Sequence, residues 1–371
     1  DANQMTFDSY LEYTDKNLPS DSPQQFGLHP NAEIGYLTNW TSSIFDTILV
    51  MGGGAGGGAD DGTSGIKEKM TYFLESLPEF FSMIDIMDMA NPMFDSGHES
   101  GPFVMVAVQE SQRMNLLMNE IKRSLQELEK GLKGQLNMST PMEDLQAALM
   151  INQWPGRNPF STCQWEKKAW PSQKNCMSEF ADVLVRIEHL KIWTEKLETP
   201  YSVWLSGLFN PTSYITAIMQ VTSRKSGKPL DCMTVATHVT TFLKPEFVDY
   251  YPEDGAFIHG LYIEGARWPT GEEAGDVEMV TGVPCSGYIV DSRLKELLPP
   301  LPVIYVKAVK VESTWEPSAV GYLRRVADIY EAPIYLTSAR GATYVFLATL
   351  KTVDPNSKWV LTGTAILMQT D

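Results

Sequence analysis

The hydrophobic period of this chain changes once, near Leu230. Upstream, apolar residues recur three or four positions apart, the spacing of helices with one buried face. Downstream they recur every second position, the spacing of strands. A sequence with one such switch folds as α+β, with an N-terminal α-helical bundle followed by strands.

The segment just ahead of the switch, 204–220, shows how a helix starts here. Asn210 can accept from the orphan N–H groups of a first turn. Pro211 suits the first helical position, where its missing donor costs nothing. Tyr214, Ile215, Ile218 and Met219 then form one buried face. Further upstream the longest helix is expected over 102–130. Its stripe is Met114, Leu117, Ile121, Leu125 and Leu128, and Glu120–Arg123 and Glu127–Lys130 pair on the wet side. Gly131 and Gly134 end it. Shorter helices are expected at 66–77, stopped by Pro78, and at 82–90, stopped by Asn91-Pro92. Thr140-Pro-Met-Glu143 reads as a capping box, and Phe180, Val183, Leu184, Ile187, Leu190 and Leu197 mark another helix. A further helix is expected from about Asn39.

The strands expected are 233–240, 256–264, 302–311, 333–337, 343–351 and 358–368, with 285–290 a further candidate. Ile304 to Val306 and Val345 to Leu347 are apolar at successive positions, the mark of strands covered on both faces. This pattern points to a small antiparallel β-barrel packed against the helices. The domain division is then 1–25 as an extended leading segment, 26–228 as the helical subdomain and 229–371 as the barrel. A flexible glycine-rich loop at 52–65 interrupts the helices, and an acidic loop at 269–283 and an insert at 316–325 interrupt the strands.

Charge and cysteine content limit the partners. The 371 residues carry a net charge of −17. Such a surface repels phosphate backbones, anionic lipid and acidic filaments, so nucleic acid, membranes and direct microtubule docking are all disfavoured. No run approaches the length of a membrane span. The cysteines, Cys163, Cys176, Cys232 and Cys285, have no C-x-x-C spacing and fit a reducing compartment. The sequence opens at Asp1 without an initiator Met, which suggests a piece of something longer.

A search for catalytic chemistry yields little. Gly227-Lys228 is followed by Pro229, and position 222 is Thr, so the phosphate-loop pattern fails at both ends. Ser206 lacks the glycine two residues earlier that a nucleophile elbow needs. His29, His98, His189, His238 and His259 share no metal-ligand spacing. Asp85 and Asp88 read as the wet edge of a helix. Glu264 and Arg267 flank Gly265-Ala266 just past a strand, with Trp268 beside them; a local ion pair or a hydrogen-bonded turn is expected there, with contact to a neighbouring domain as the alternative. Trp204, Asn210 and Pro211 complete the set of structural or inter-domain contact candidates. No catalytic, cofactor or metal residue is assigned.

Several blocks occur in a telling order. They are Phe26-Gly-Leu-His-Pro-Asn-Ala-Glu-Ile-Gly-Tyr36, Arg123-Ser-Leu-Gln-Glu-Leu128 with Gly131-Leu-Lys-Gly134, and Trp204-Leu-Ser-Gly-Leu-Phe-Asn-Pro-Thr-Ser-Tyr-Ile-Thr-Ala-Ile-Met-Gln220, which contains Ser206-Gly-Leu-Phe-Asn-Pro211. His259-Gly-Leu-Tyr-Ile-Glu-Gly-Ala-Arg-Trp268, Asp291-Ser-Arg-Leu-Lys-Glu-Leu297 and Pro302-Val-Ile-Tyr-Val-Lys307 follow. Together they resemble the C-terminal region of axonemal dynein heavy chains. That resemblance implies a non-catalytic domain lying against the ATPase ring of the same heavy chain. It would modulate a microtubule motor whose ATPase sites lie upstream. It implies other dynein subunits as partners through the full-length protein, and microtubules only indirectly. The location implied is the cytoplasm and cytoskeleton, in the axoneme of a cilium or flagellum. The competing reading is a stand-alone ligand- or carbohydrate-binding barrel using Trp268, Tyr262, Tyr305 and Tyr335.

Overall fold

The computed structural model describes residues 62–157, 160–269, 278–280, 282–285, 289–291, 298, 300–310 and 329–369, with isolated positions 6, 7, 9, 11, 13, 37 and 41. Most of the leading segment 1–25 and of the helix expected from Asn39, the 316–325 insert and most of loops 52–65 and 269–283 lie outside the described residues.

The helices are α1 (Gly62–Ser76), α2 (Met83–Asp95), α3 (Gly101–Leu132), α4 (Thr140–Met150), α5 (Trp165–Lys168), α6 (Cys176–Lys196) and α7 (Pro211–Ser226). The expected stripe of α3 is buried throughout: Met114, Leu117, Ile121, Leu125 and Leu128 are fully covered. Pro92 does not stop α2, which continues to Asp95. α4 begins one residue earlier than the capping-box reading, with Ser139 as the cap and Pro141 inside the first turn. α7 starts as its sequence predicts. The Asn210 side chain accepts from the Ser213 amide at 3.2 Å, and Pro211 stands at the first helical position.

Twelve strands follow or interleave among the described residues. The first sheet has the order β1 (Ser202–Trp204), β3 (Ala256–His259), β9 (Ile304–Lys310), β2 (Met233–Val239). The second runs β11 (Tyr344–Lys351), β10 (Ile329–Tyr335), β12 (Ala365–Leu367), β4 (Tyr262–Glu264). Two short pairs join β5 (Ala266–Arg267) to β8 (Val290–Asp291) and β6 (Glu278–Val280) to β7 (Val283–Cys285). Both large sheets are mixed, because β1 runs parallel to β3 and β10 runs parallel to β12.

The α+β order therefore holds, but the barrel does not form. The expected strand 256–264 breaks at Gly260, whose φ is +83°. Its first half joins one sheet and its second half the other. At the opposite seam β2 and β11 lie side by side without a backbone ladder, and the Thr349 amide donates instead to the Thr237 hydroxyl at 2.7 Å. Two open mixed sheets result. The expected strand 358–368 is likewise a short helix, α8 (Asn356–Leu361), followed by β12.

One hydrophobic cluster runs from Phe73 and Leu117 in the helices through Ile258 and Ile304 to Trp359 and Ile366 in the strands. α7 occupies its middle. It packs on α3 and on β2, β9 and β11, burying Tyr214, Ile215, Ala217 and Ile218. Each large apolar side chain so covered stabilises by roughly 1.5–3 kcal/mol.

Candidate functional site: a buried charged junction

The helices meet the sheets across a group of charged side chains that water does not reach. Glu110 lies in the N-terminal third of α3 and is only 2% exposed. Its carboxylate accepts the amide of Phe209 at 2.6 Å and that of Asn210 at 2.9 Å. Asn210 thus caps α7 with its side chain while α3 holds its backbone. Burial raises the Glu110 carboxyl above its ordinary pKa, against the pull of those two amides and of Arg186 and Arg113.

Arg186, on α6, is the centre of the group and is 1% exposed. Its guanidinium lies 3.6 Å from the Trp170 ring centroid and 5.3 Å from that of Trp204. Nη2 and Nε each donate to Asp182 at 3.3 Å. Gln369, at the far end of the sequence, reaches the same place. With its amide oxygen turned inward it accepts from Arg186 at 3.0 Å and from the Trp170 indole at 3.2 Å. Glu179 completes the group by accepting from the Ser172 hydroxyl, and burial pushes its carboxyl up to about 7. A buried charge is tolerated only when paired and hydrogen-bonded, and here the stacking on two indoles adds cation–π attraction.

Trp204 links this group to the first sheet. It stands next to His189 of α6, with ring centroids 5.9 Å apart. The indole fills the space a side chain would need at Gly260, where a Cβ would fall 2.2 Å from its Cδ1. Beside it, Ser202 and His259 share a hydrogen bond of 2.9 Å between Oγ and Nδ1. The His189 and His259 rings lie 6.5 Å apart, and burial lowers both to about 4.

Trp204, Asn210 and Pro211 therefore converge on this junction, whereas Glu264, Arg267 and Trp268 do not. Glu264 pairs with Arg340, whose Nη2 donates to it at 2.6 Å and to the Gly363 carbonyl at 2.9 Å. Its partner thus lies 76 residues away in sequence, far beyond the local pairing expected at this turn. Trp268 is buried in the core. Gly227 serves as the left-handed cap of α7, with φ +66°, and Ser206 sits buried in a 3-10 turn. Tyr305 and Tyr335 are each 1% exposed, so they line no ligand mouth. Among the described residues, no three His, Cys, Asp or Glu side chains are placed to hold a metal ion. No described helix is long and apolar enough to cross a membrane.

Comparison with known proteins bears on what such an interlocked unit belongs to. The family model for the C-terminal domain of the dynein heavy chain matches residues 38–368. This protein belongs to that family. It is 40% identical over 370 residues to dynein axonemal heavy chain 17 of Homo sapiens, covering 98% of this chain and 7% of the human protein. Against the ciliary dynein beta chain of Tripneustes gratilla the identity is 40% over 367 residues, with 98% and 7% covered. Against the flagellar outer arm dynein beta chain of Chlamydomonas reinhardtii it is 39% over 360 residues, with 96% and 7% covered. The 371 residues thus span about 7% of the length of these heavy chains. Within this dynein C-terminal domain, the Ser206–Pro211 block that carries part of the resemblance is the same segment that Glu110 grips.

Proposed function

We propose that this domain is a non-catalytic regulatory and structural part of an axonemal dynein heavy chain. It packs on the ATPase ring of the same polypeptide and biases the motor's nucleotide-linked states. The observation that carries the reading is the family match over residues 38–368, together with a helix–sheet junction tied by buried charge. A unit locked in this way moves as one body, so contacts at one face can be felt at another. Contacts that differ in energy between two ring states shift the balance of those states. A coupling of about 1–3 kcal/mol alters affinity by roughly 5–150-fold.

The names of its relatives support a place in the axoneme of a cilium or flagellum. Other dynein subunits are reached through the full-length protein, and microtubules only indirectly, because a net charge of −17 repels an acidic filament. The test is nucleotide turnover by the purified 371-residue protein. No cleavage above a protein-free control is expected. Saturable ATP cleavage abolished by changing one of its own side chains overturns the proposal.

A further inference from the structure

The end of α6 and the turn before β3 enclose a cleft of about 500 Å³ that the charged junction does not use. Phe103 and the buried Tyr214 line it, with ring centroids 5.4 Å apart. Tyr201 and Tyr251 line it as well, their centroids 4.6 Å apart and their planes at 52°. These two rings are 46% and 53% exposed. Tyr251 is nonetheless held in place, because its hydroxyl donates to the Thr199 carbonyl at 2.6 Å. Two ordered aromatic faces therefore open to solvent above an aromatic floor.

The charge around them is negative. Glu99, Glu198, Glu253 and Asp254 line the cleft against Lys196 and Lys225. Lys225 is already engaged, at 3.6 Å from Glu99 and donating to the Glu253 carbonyl at 3.5 Å. α6 also ends here, at Lys196 with Leu197 as its cap, so the negative end of a 21-residue helix dipole faces the same region. A cation resting against the outward side of this ring pair gains from the ring quadrupoles and from the carboxylates together.

We propose that this cleft docks a basic, extended peptide segment of a partner protein. A lysine or arginine side chain lies over the solvent-facing side of the touching Tyr201–Tyr251 pair, and proline or aliphatic residues lie along the half-buried Phe103. The same charge disfavours acidic peptides.

The test is fluorescence anisotropy with the full 371-residue protein and a fluorescein-labelled lysine–proline nonapeptide, beside a glutamate–proline peptide of equal length. The parent binds the basic peptide saturably and the acidic one not at all. Changing Tyr201→Ala and Tyr251→Ala together weakens binding about tenfold, the equivalent of two lost cation–π contacts. Tyr251→Phe keeps the ring and stays within about threefold of the parent. Glu198→Lys, an exposed charge reversal that leaves the fold intact, weakens binding severalfold and keeps the test decisive if the double tyrosine variant misfolds. Val353→Ser, at an exposed site outside the cleft, leaves it unchanged. No saturable binding to the parent, undiminished binding in both the folded double variant and Glu198→Lys, or equal affinity for the acidic peptide each overturns the proposal.

Discussion

Glu110 accepts the amide of Asn210 at 2.9 Å across a sequence separation of 100 residues. One carboxylate in the N-terminal third of α3 thereby fixes where α7 begins, and α7 carries the strands on its far side. Glu110→Gln keeps one acceptor oxygen but turns an amide NH2 toward a backbone N–H. We expect a loss of roughly 2–4 kcal/mol, the cost of an unsatisfied buried charge-assisted bond, read as a lower urea midpoint at unchanged slope. A variant as stable as the parent removes Glu110 as a tie across the junction.

The junction also sets opposing pH responses. His189 and His259 titrate near about 4 in the fold because burial opposes their charge, whereas in the unfolded state they charge near about 6.5. Between those values the unfolded state binds more protons, so their contribution to stability falls as pH drops. Glu179 behaves in the reverse sense. Its carboxyl titrates at about 7 in the fold and at about 4.3 when unfolded, so its contribution falls as pH rises through that window. Glu179→Gln should therefore gain stability relative to the parent on going from about pH 5 to about pH 8. The His189→Gln, His259→Gln pair should gain relative to the parent on going from about pH 7 to about pH 5. Urea titrations at the three pH values measure both slopes, and parallel curves for parent and variants contradict the assignment.

Gly260 and Gly227 separate a steric demand from a backbone one. Both have positive φ, +83° and +66°, but only Gly260 faces a ring, since nothing lies within 4 Å of a Cβ added at Gly227. Gly227→Ala should cost about 1 kcal/mol through its left-handed backbone. Gly260→Ala must also displace Trp204 and should cost roughly 2–4 kcal/mol. Thermal unfolding of the two variants decides it, and equal losses would show that the Trp204 contact carries no weight.

Much of this fold is legible in the sequence, and the reason is local. The stripe of α3, the cap at Asn210 and the Pro211 start are fixed by neighbours within a turn or two, which a linear reading can see. The strand positions follow from alternation, but their pairing does not. Whether β2 ladders with β11 depends on residues 112 apart, and there the Thr237 hydroxyl meets the Thr349 amide instead. That is why alternation suggests a closed barrel where two open sheets stand. Residues 358–368 mislead for a related reason: Trp359 and Val360 continue the apolar pattern, yet they occupy one turn of helix α8.

The charged junction is the least legible part. Charged residues on a helix ordinarily face water, and only the distant partners of Glu110, Glu179 and Arg186 reveal that these are buried. Glu120 shows the same effect. It pairs with Arg123 at 2.7 Å as expected, but its side chain is 7% exposed and also binds Lys168 at 2.6 Å. Glu127 takes Arg123 at 2.7 Å instead of Lys130. One signal could have pointed to the site: two of the resemblance blocks, 204–220 and 259–268, include Trp204, Asn210 and Gly260.

The central claim is that this domain alters a motor whose energy source lies elsewhere in the heavy chain. Microtubule gliding velocity is the direct test, comparing the complete motor with one lacking residues 230–371, with nucleotide binding by the ring as the check on integrity. A changed velocity with nucleotide binding retained is the predicted result. A shortened motor that binds nucleotide and moves microtubules at the parent's velocity would contradict it.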